Sequence, residues 1–558
     1  MMPRWKLQKK LKTLLFISSL LLGTTLTFKV TAAEEITFYY GSFAQTVDVE
    51  SLKIFAENGT VNPDLRTIFN IVKPNEVVKN KFQQALVTPI DINASLLSRL
   101  LNTDEGDRIL SELSTLIEMQ GGTSGKSVLR GSMIQAAASD DGFTILNFLQ
   151  TLPRNMQINV RETLRWAQQA SFLVKATENL VKTTENLALK VSDSQPITDF
   201  SQLANLGETG SVSFVRDRWN LTDNERKRRF YVEVYRPQLS ASEEIPVIVF
   251  SHGLGERPET YQKMGELLAS HGFLVVMPQH PGSDTEYKKD LAEGFTRNIF
   301  SLNEFINRPL DLSYTLDELE KRNETEFDGQ LNLEKVGAFG HSFGGYTALA
   351  VAGATLDLQH LQKDCDSSAS RFNQAILLQC RALKLQQPIP KLKDERISAV
   401  LVYNPVNASI FGPEGLANVK VPVFVGAGTY DLTTPFVFEQ VRSFPWLVNA
   451  PESYLLIQQG DSHVPLAKLG AGSYFTATSL LKLTLPHDQL RHYYAAPSIV
   501  AFAQVYLADQ ENYRVYLHPS YITYLSEQEE FKAFLITEES APSLVESFQQ
   551  QVEGFRNL

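Results

Sequence analysis

The segment VGAFGHSFGGYTALAVAGA, Val336 to Ala354, sets one hydroxyl, Ser342, between a short apolar run and a small-residue helical pattern. Gly340 and Gly344 stand two residues to either side of it. A serine at a sharp strand-to-helix turn has its oxygen pushed out above a sheet. Side chains at the flanking glycines would strike the neighbouring strand or helix. The Gly340-His341-Ser342-Phe343-Gly344 pattern is weak by itself, and its position between a buried strand and a helix is what gives it weight. A hydroxyl is a poor nucleophile without a base, so the pattern calls for an acid and then a histidine further along the chain.

Both follow, each just past an apolar run of strand length. VPVFVGAGTYDLTTP carries Asp431, and SYLLIQQGDSHVPL carries His463. Sites on open α/β sheets form at the carboxyl ends of strands, where these side chains can converge. His463 is expected to take the proton from Ser342, and Asp431 to fix its tautomer and stabilise the imidazolium. Asp461 is also near the histidine in sequence, but two residues is too close to reach across to the ring from a separate strand. Acyl transfer also needs donors for a developing oxyanion. The N–H of Phe343 supplies one. The Gly-rich turn His252-Gly253-Leu254-Gly255, after the run VIVFSHG, offers the N–H of Leu254 as the other. His252 is expected to support that loop rather than to react.

Around this site the chain has 558 residues, more than one ordinary core needs, so a large domain with a smaller one is expected. Residues 1–32 begin with five basic side chains within MMPRWKLQKKLK, continue with the apolar LLFISSLLLGTTLTF and end near small residues. That is the form of a secretory signal peptide, with an uncleaved anchor as the alternative. Export would lead to a periplasm, a thylakoid lumen or the extracellular space. Losing this segment, which holds six Lys or Arg and no acid, would take the formal charge from −11 to −17. So acidic a chain is a poor partner for nucleic acid. The only two cysteines are Cys365 and Cys380. Export would permit a disulfide, whose loop of about 15 residues would stabilise by roughly 3 kcal/mol; the alternative is two buried free thiols.

Residues 33–165 read as mostly short helices, with one strand, ITFYYGSF, at the start. In DRILSELSTLIEM the apolar residues Ile109, Leu110, Leu113, Leu116 and Ile117 recur at helical spacing. Residues 166–210 read as a connecting helix, ending near Lys190, and a polar linker; TENLVKTTENL within it marks a packed face. From 211 to 558 the texture changes. The runs FYVEVY, PVIVFSHG, FLVVMPQH, KVGAFGHS, SAVLVYNP, PVFVGAG and SYLLIQQG alternate with helical segments. Such alternation means a mostly parallel sheet flanked by helices, an α/β fold. An insertion at about 357–396, containing both cysteines, is expected to form a cap. SSASRFNQAILLQCRALKL within it is either a lid helix or an ordinary packed one. The chain from about Pro465 reads as a largely helical C-terminal extension.

FSHGLGERPETYQKMGELLASHGFLVVMPQHPGSDT followed by GHSFGGYTA resembles the platelet-activating factor acetylhydrolase family, serine lipases on the α/β-hydrolase fold. The resemblance spans roughly Phe230 to Leu466. It implies Ser342, His463, and the N–H groups of Leu254 and Phe343 in the roles above, and ester hydrolysis without metal or organic cofactor. One position departs. In that family the acid follows an earlier strand, where this chain reads VYNPVNASIFG and offers the amide Asn404. The role then falls to Asp431 in DLTTP, a placement similar to bacterial cutinases and polyester hydrolases. ITFYYGSF, VESLKIFAENG and LRGSMIQAAA before GFTILNFLQTLP resemble the helical domain of unknown function (DUF1400) that precedes dienelactone-hydrolase-like enzymes in cyanobacteria.

The expectation is therefore an exported serine carboxylester hydrolase, an esterase or lipase acting on a small-molecule or lipid ester, with transient contact to a lipid surface. An acyltransferase on the same three residues, or a binding protein on a retained hydrolase fold, are the alternatives.

Overall fold

The computed structural model describes residues 33–90, 92–119, 125–140, 142–152, 155–195, 198–240, 242–367, 371–463 and 489–556. The expected signal segment, 1–32, lies outside them. ITFYYGSF is two strands rather than one: β1 (Glu35–Tyr40) and β2 (Phe43–Asp48) pair antiparallel with Tyr40 opposite Phe43. The reversal is made at Gly41, whose φ of 60° is a left-handed conformation glycine adopts without steric cost. Two further strands, β3 (Ile117–Met119) and β4 (Met156–Asn159), complete a small sheet of order β2-β1-β4-β3.

Among the described residues seven helices surround this sheet: α1 (Val49–Asn58), α2 (Pro63–Val72), α3 (Glu76–Val87), α4 (Ala94–Leu101), α5 (Asp104–Leu113), α6 (Lys126–Ala137) and α7 (Ile145–Thr151). The helical reading of DRILSELSTLIEM overruns α5. The helix stops at Leu113, turns through Ser114–Leu116, and Ile117 enters β3 opposite Ile158. The β-branched Ile117 serves a strand better than a helix end, and Ile109 is 42 % exposed rather than core. Leu52, Phe55, Leu110, Leu129 and Met156 share a separate core under these helices.

From β4 the chain enters α8 (Val160–Ser194), capped by the Asn159 side chain on the N–H of Glu162. Its buried residues Ala176, Leu180, Thr184 and Ala188 fall four apart, the spacing of one helix face. The helix runs past Lys190 into the stretch expected as linker, because no Gly or Pro interrupts the sequence before Pro196.

Among the described residues the second sheet has nine strands: β5 (Phe214–Asp223), β6 (Arg228–Pro237), β7 (Ile245–Ser251), β8 (Leu274–Pro278), β9 (Leu331–His341), β10 (Ile397–Tyr403), β11 (Val423–Gly428), β12 (Ser453–Gln458) and β13 (Ala533–Thr537). Their order is β13-β12-β11-β10-β9-β7-β8-β6-β5. The strands from β8 to β12 are parallel, while β5, β6 and β13 add antiparallel edges. All seven runs singled out in the sequence are strands, and the edges β5 and β13 are additional to them.

Side chains alternate along each strand between two cores. Val247, Val249, Val400 and Val402 face one layer with α11 (Glu304–Glu326), α12 (Phe343–Val351) and α15 (Ala408–Leu416), while α10 (Thr285–Glu293) follows β8 in the chain. Ile248, Phe250, Ala399 and Leu401 face the other, with α9 (Gln262–Ser270), α16 (Leu490–Leu507) and α17 (Pro519–Ser526). Among the described residues the C-terminal extension is largely helical, with one strand added. It supplies α16 as half of a core layer, strand β13, and α18 (Ala541–Arg556), which packs with α17 along α8.

The insertion holds α13 (Leu358–Asp366), the short α14 (Ala375–Gln379) and a 3-10 turn at Cys380–Lys384. Among its described residues no single lid helix spans it. Its side chains reach the N-terminal region, with Arg381 on Glu105 at 3.0 Å and Arg371 on Glu112 at 2.8 Å. Cys365 and Cys380 are joined by a disulfide. Closing a loop of 15 residues should stabilise by about 3 kcal/mol. The double variant Cys365→Ser with Cys380→Ser is therefore expected to unfold at lower urea concentration by that equivalent, and an unchanged midpoint would contradict the bond.

Candidate active site

Ser342 closes β9 and opens α12 with φ 56° and ψ −120°, a conformation that a residue bearing a side chain rarely adopts. The surroundings hold it there. Its N–H donates to Tyr403 O at 3.0 Å, and its carbonyl accepts from Gly345 N at 2.9 Å and Val406 N at 3.2 Å. A side chain at Gly340 would collide with the backbone of Gly344, and one at Gly344 with the carbonyl of Ser251. The bend therefore packs against the end of β7, where the loop 252–255 begins.

The structure brings the three sequence-predicted side chains together. His463 Nε2 lies 2.8 Å from Ser342 Oγ, and His463 Nδ1 lies 2.7 Å from Asp431 Oδ2. With Nδ1 donating to a carboxylate, Nε2 is the bare nitrogen and accepts from the hydroxyl. Asp431 is buried, and its other contacts are all donors: Thr433 N and Thr434 N to Oδ1 at 2.8 Å each, and Thr434 Oγ1 to Oδ2 at 2.7 Å. A carboxylate so surrounded is fixed in place.

Asp461 does not touch the imidazole. It accepts from Arg491 Nε at 2.7 Å and from the Tyr403 hydroxyl at 3.3 Å, which anchors the turn leading to His463. Burial raises the Asp461 carboxyl above its ordinary value, and Arg491 opposes that. Asn404 braces the acid's loop: its Oδ1 accepts from Gly428 N at 2.9 Å, and its carbonyl lies 3.2 Å from Thr434 Oγ1.

The two expected oxyanion donors meet at the same corner. Phe343 is the first residue of α12, so its N–H has no helical acceptor. The N–H of Leu254 takes part in none of the backbone hydrogen bonds that fix its loop. His252 supports that loop. Its Nδ1 donates to Gly253 O at 2.8 Å and its Nε2 accepts from His280 N at 3.2 Å. Burial pushes this ring well below the ordinary histidine value, so it is neutral.

Sequence reasoning missed a second cluster. Glu256 accepts from Gly253 N at 3.0 Å and from the Tyr261 hydroxyl, which in turn lies 2.6 Å from His341 Nδ1. The rings of His341 and His463 are 4.8 Å apart. Beside them opens a cavity of about 330 Å³ with a largely apolar wall that includes Phe250, Met264, Leu401, Tyr403, Ala496 and Ile499. Residues of the 357–396 insertion are absent from the described lining. The signal for Glu256 was its place in the Gly-rich turn, but nothing in the sequence paired it with Tyr261 and His341.

A serine at the bend after a central parallel strand, with an acid and a histidine after later strands of that sheet, is one fold's arrangement. The chain has the α/β-hydrolase fold. The family model "Chlorophyllase" matches residues 231–367, and "Alpha/beta hydrolase of unknown function (DUF1400)" matches residues 32–159. The first of these stretches holds Leu254, Ser342 and Phe343 and ends before Asp431 and His463, which rest on geometry.

Platelet-activating factor acetylhydrolase of Cavia porcellus is 31 % identical over 141 residues, 20 % of this chain and 32 % of that protein. The proteins of the same name from Canis lupus familiaris and Bos taurus are 28 % identical over 197 residues and 30 % over 148. These alignments take in 28 % and 21 % of this chain, and 44 % and 33 % of the relatives. The chain thus spans less than half the length of the curated relatives it matches.

The electrostatics of Glu256 give a pH test. Burial opposes its charge, but the His341 ring and the Tyr261 hydroxyl win and lower the carboxyl from 4.5 to about 2. A folded value below the unfolded one stabilises above about pH 4.5 and ceases to do so as pH falls toward 2. The stability gap between wild type and Glu256→Gln is therefore expected to close between pH 5 and pH 2 in urea titrations; a constant gap would contradict this.

Proposed function

We propose that this α/β-hydrolase is a serine carboxylester hydrolase. The observation that carries the reading is the unbroken pair of hydrogen bonds from Asp431 through His463 to Ser342, at 2.7 and 2.8 Å. In the first step Ser342 Oγ bonds to the ester carbonyl carbon, its proton passes to His463 Nε2, and the carbonyl electron pair moves onto oxygen. The N–H groups of Leu254 and Phe343 then receive the negative oxygen. Collapse expels the alcohol, which takes the proton from His463 and leaves an acyl-Ser342 ester. Water repeats the sequence and releases the acid.

The apolar cavity beside His463 supports an ester with a hydrocarbon portion, since its size is that of a small-ligand pocket. The relatives' name, acetylhydrolase, supports hydrolysis of an acyl bond. Export is part of the proposal: it is supported by the composition of residues 1–32 and by the Cys365–Cys380 disulfide, a bond that persists in oxidising compartments.

Purified protein is expected to hydrolyse p-nitrophenyl esters. Ser342→Ala should lose activity to near background, and Asp431→Asn should lower kcat by about 10⁴ because it leaves the imidazole in the wrong tautomer. Equal turnover by wild type and Ser342→Ala would overturn the proposal.

A further inference from the structure

Arg308 lies in α11, fully buried, and spends its donors on the backbone beside the active site rather than on a carboxylate. Its Nη1 donates to His252 O at 2.7 Å and reaches Ser251 Oγ at 3.5 Å. Its Nη2 donates to Gly253 O at 3.3 Å, and its Nε to Ser283 Oγ at 2.8 Å. The same guanidinium sits 4.5 Å from the centre of the Phe343 ring, a cation–π distance. One side chain therefore grips both residues that offer an N–H to the site: Leu254 through the preceding carbonyl, Phe343 through its ring.

The consequence follows from peptide geometry. A trans peptide is planar, so the N–H of Leu254 points opposite to the C=O of Gly253. Two side-chain donors converge on that carbonyl, Arg308 Nη2 and His252 Nδ1 at 3.3 and 2.8 Å, beside the backbone N–H of Glu256 at 3.4 Å. While they hold it inward, the Leu254 N–H must face away from the guanidinium, and a flip of the peptide would leave two buried donors unpaired. Hydrogen bonds in series also polarise one another, so donation into the Gly253 carbonyl makes the N–H on the other side of the same peptide a stronger donor.

The charge persists in this place. Burial lowers the guanidinium to about 10, with Glu304 and Asp311 opposing, so it stays protonated at neutral pH. Those two carboxylates are themselves held by Arg228, at 2.9 and 2.8 Å, and His280 Nδ1 stands 2.9 Å from Asp311 Oδ2. Ser283, which accepts from Arg308, also donates to Glu304 at 3.3 Å. Arg308 is thus oriented by neighbours that leave its two terminal nitrogens for the loop.

We propose that Arg308 is a positioning residue for the oxyanion site, fixing the Gly253–Leu254 peptide with its N–H turned into the site and strengthening that donor through the peptide bond. The inference rests on the ester-hydrolase reading, since an oxyanion forms only in such a reaction.

The test compares Arg308→Lys and Arg308→Gln with wild type on a p-nitrophenyl ester and on the corresponding thionoester, whose sulfur is a weak hydrogen-bond acceptor. Loss of one well-placed oxyanion donor costs about 10²–10³ in kcat, so a misaligned one is expected to cost Arg308→Gln about ten- to a hundredfold. KM should stay within about threefold, and Arg308→Lys should lose less. The ratio of ester to thionoester kcat/KM should fall in step with kcat, which a merely loosened fold would not produce.

If Arg308→Gln does not fold, by circular dichroism and thermal melt, Arg308→Lys and His252→Phe carry the test. His252→Phe removes the other donor to the same carbonyl and should shift the ratio in the same direction. Folded variants with the wild-type ratio would overturn the inference while leaving the ester-hydrolase reading intact. A wild type inactive on all esters would overturn that reading and this inference with it.

Discussion

The strained backbone of Ser342 is the constraint on which the rest of the site depends. A residue with a side chain at φ 56° is uphill by about 1–3 kcal/mol and persists only where its neighbours leave no alternative. Here the carbonyl of Tyr403 on β10, the amide of Val406 beyond it and the first turn of α12 all bind the same peptide units. Gly340, Gly344 and Gly345 let strand, helix and the Pro405 corner approach closely enough to make those bonds. The bend presents the hydroxyl above the sheet and leaves the Phe343 N–H without an acceptor. It also presses α12 against the end of β7, so the loop bearing Leu254 shares the same corner. Acid, base and both donors are meaningful only relative to that one turn.

The sheet was legible because burial on both faces writes each central strand as a continuous apolar run. Ser342, Asp431 and His463 were legible for a related reason: each follows such a run, and parallel strands deliver their carboxyl ends to one edge. The edge strands were harder. In β5, FVRDRWNLTD is mostly exposed and rich in charge, and β13 is a five-residue run among helices. The hairpin at Gly41 and the stop of α5 before Ile117 turn on local backbone choices, which a periodicity count blurs. In α5, helical spacing continued through residues that the fold uses as a turn.

Buried polar partners were the least legible of all. Arg308 gave no sign in the sequence of contacting His252, 56 positions earlier. The same holds for the Glu256–Tyr261–His341 group, whose members approach only once β7, β9 and α9 are in place. Charged residues read as surface by default, and these are buried because each found a carbonyl, hydroxyl or carboxylate to satisfy it. Asn404 is a related case. Its amide stands where it can accept from Gly428 N and steady the loop of Asp431. The insertion, expected as a cap, ties the N-terminal helices to the large domain through Arg371 and Arg381.

The most direct measurement is a crystal structure of the protein after reaction with a p-nitrophenyl alkylphosphonate, whose adduct mimics the tetrahedral intermediate. The geometry predicts phosphorus bonded to Ser342 Oγ, with the phosphonyl oxygen about 2.7–3.1 Å from the N atoms of both Leu254 and Phe343. Phosphorus on another residue, or a phosphonyl oxygen turned away from both amides, would contradict the assignment of this corner as the place where ester bonds are broken.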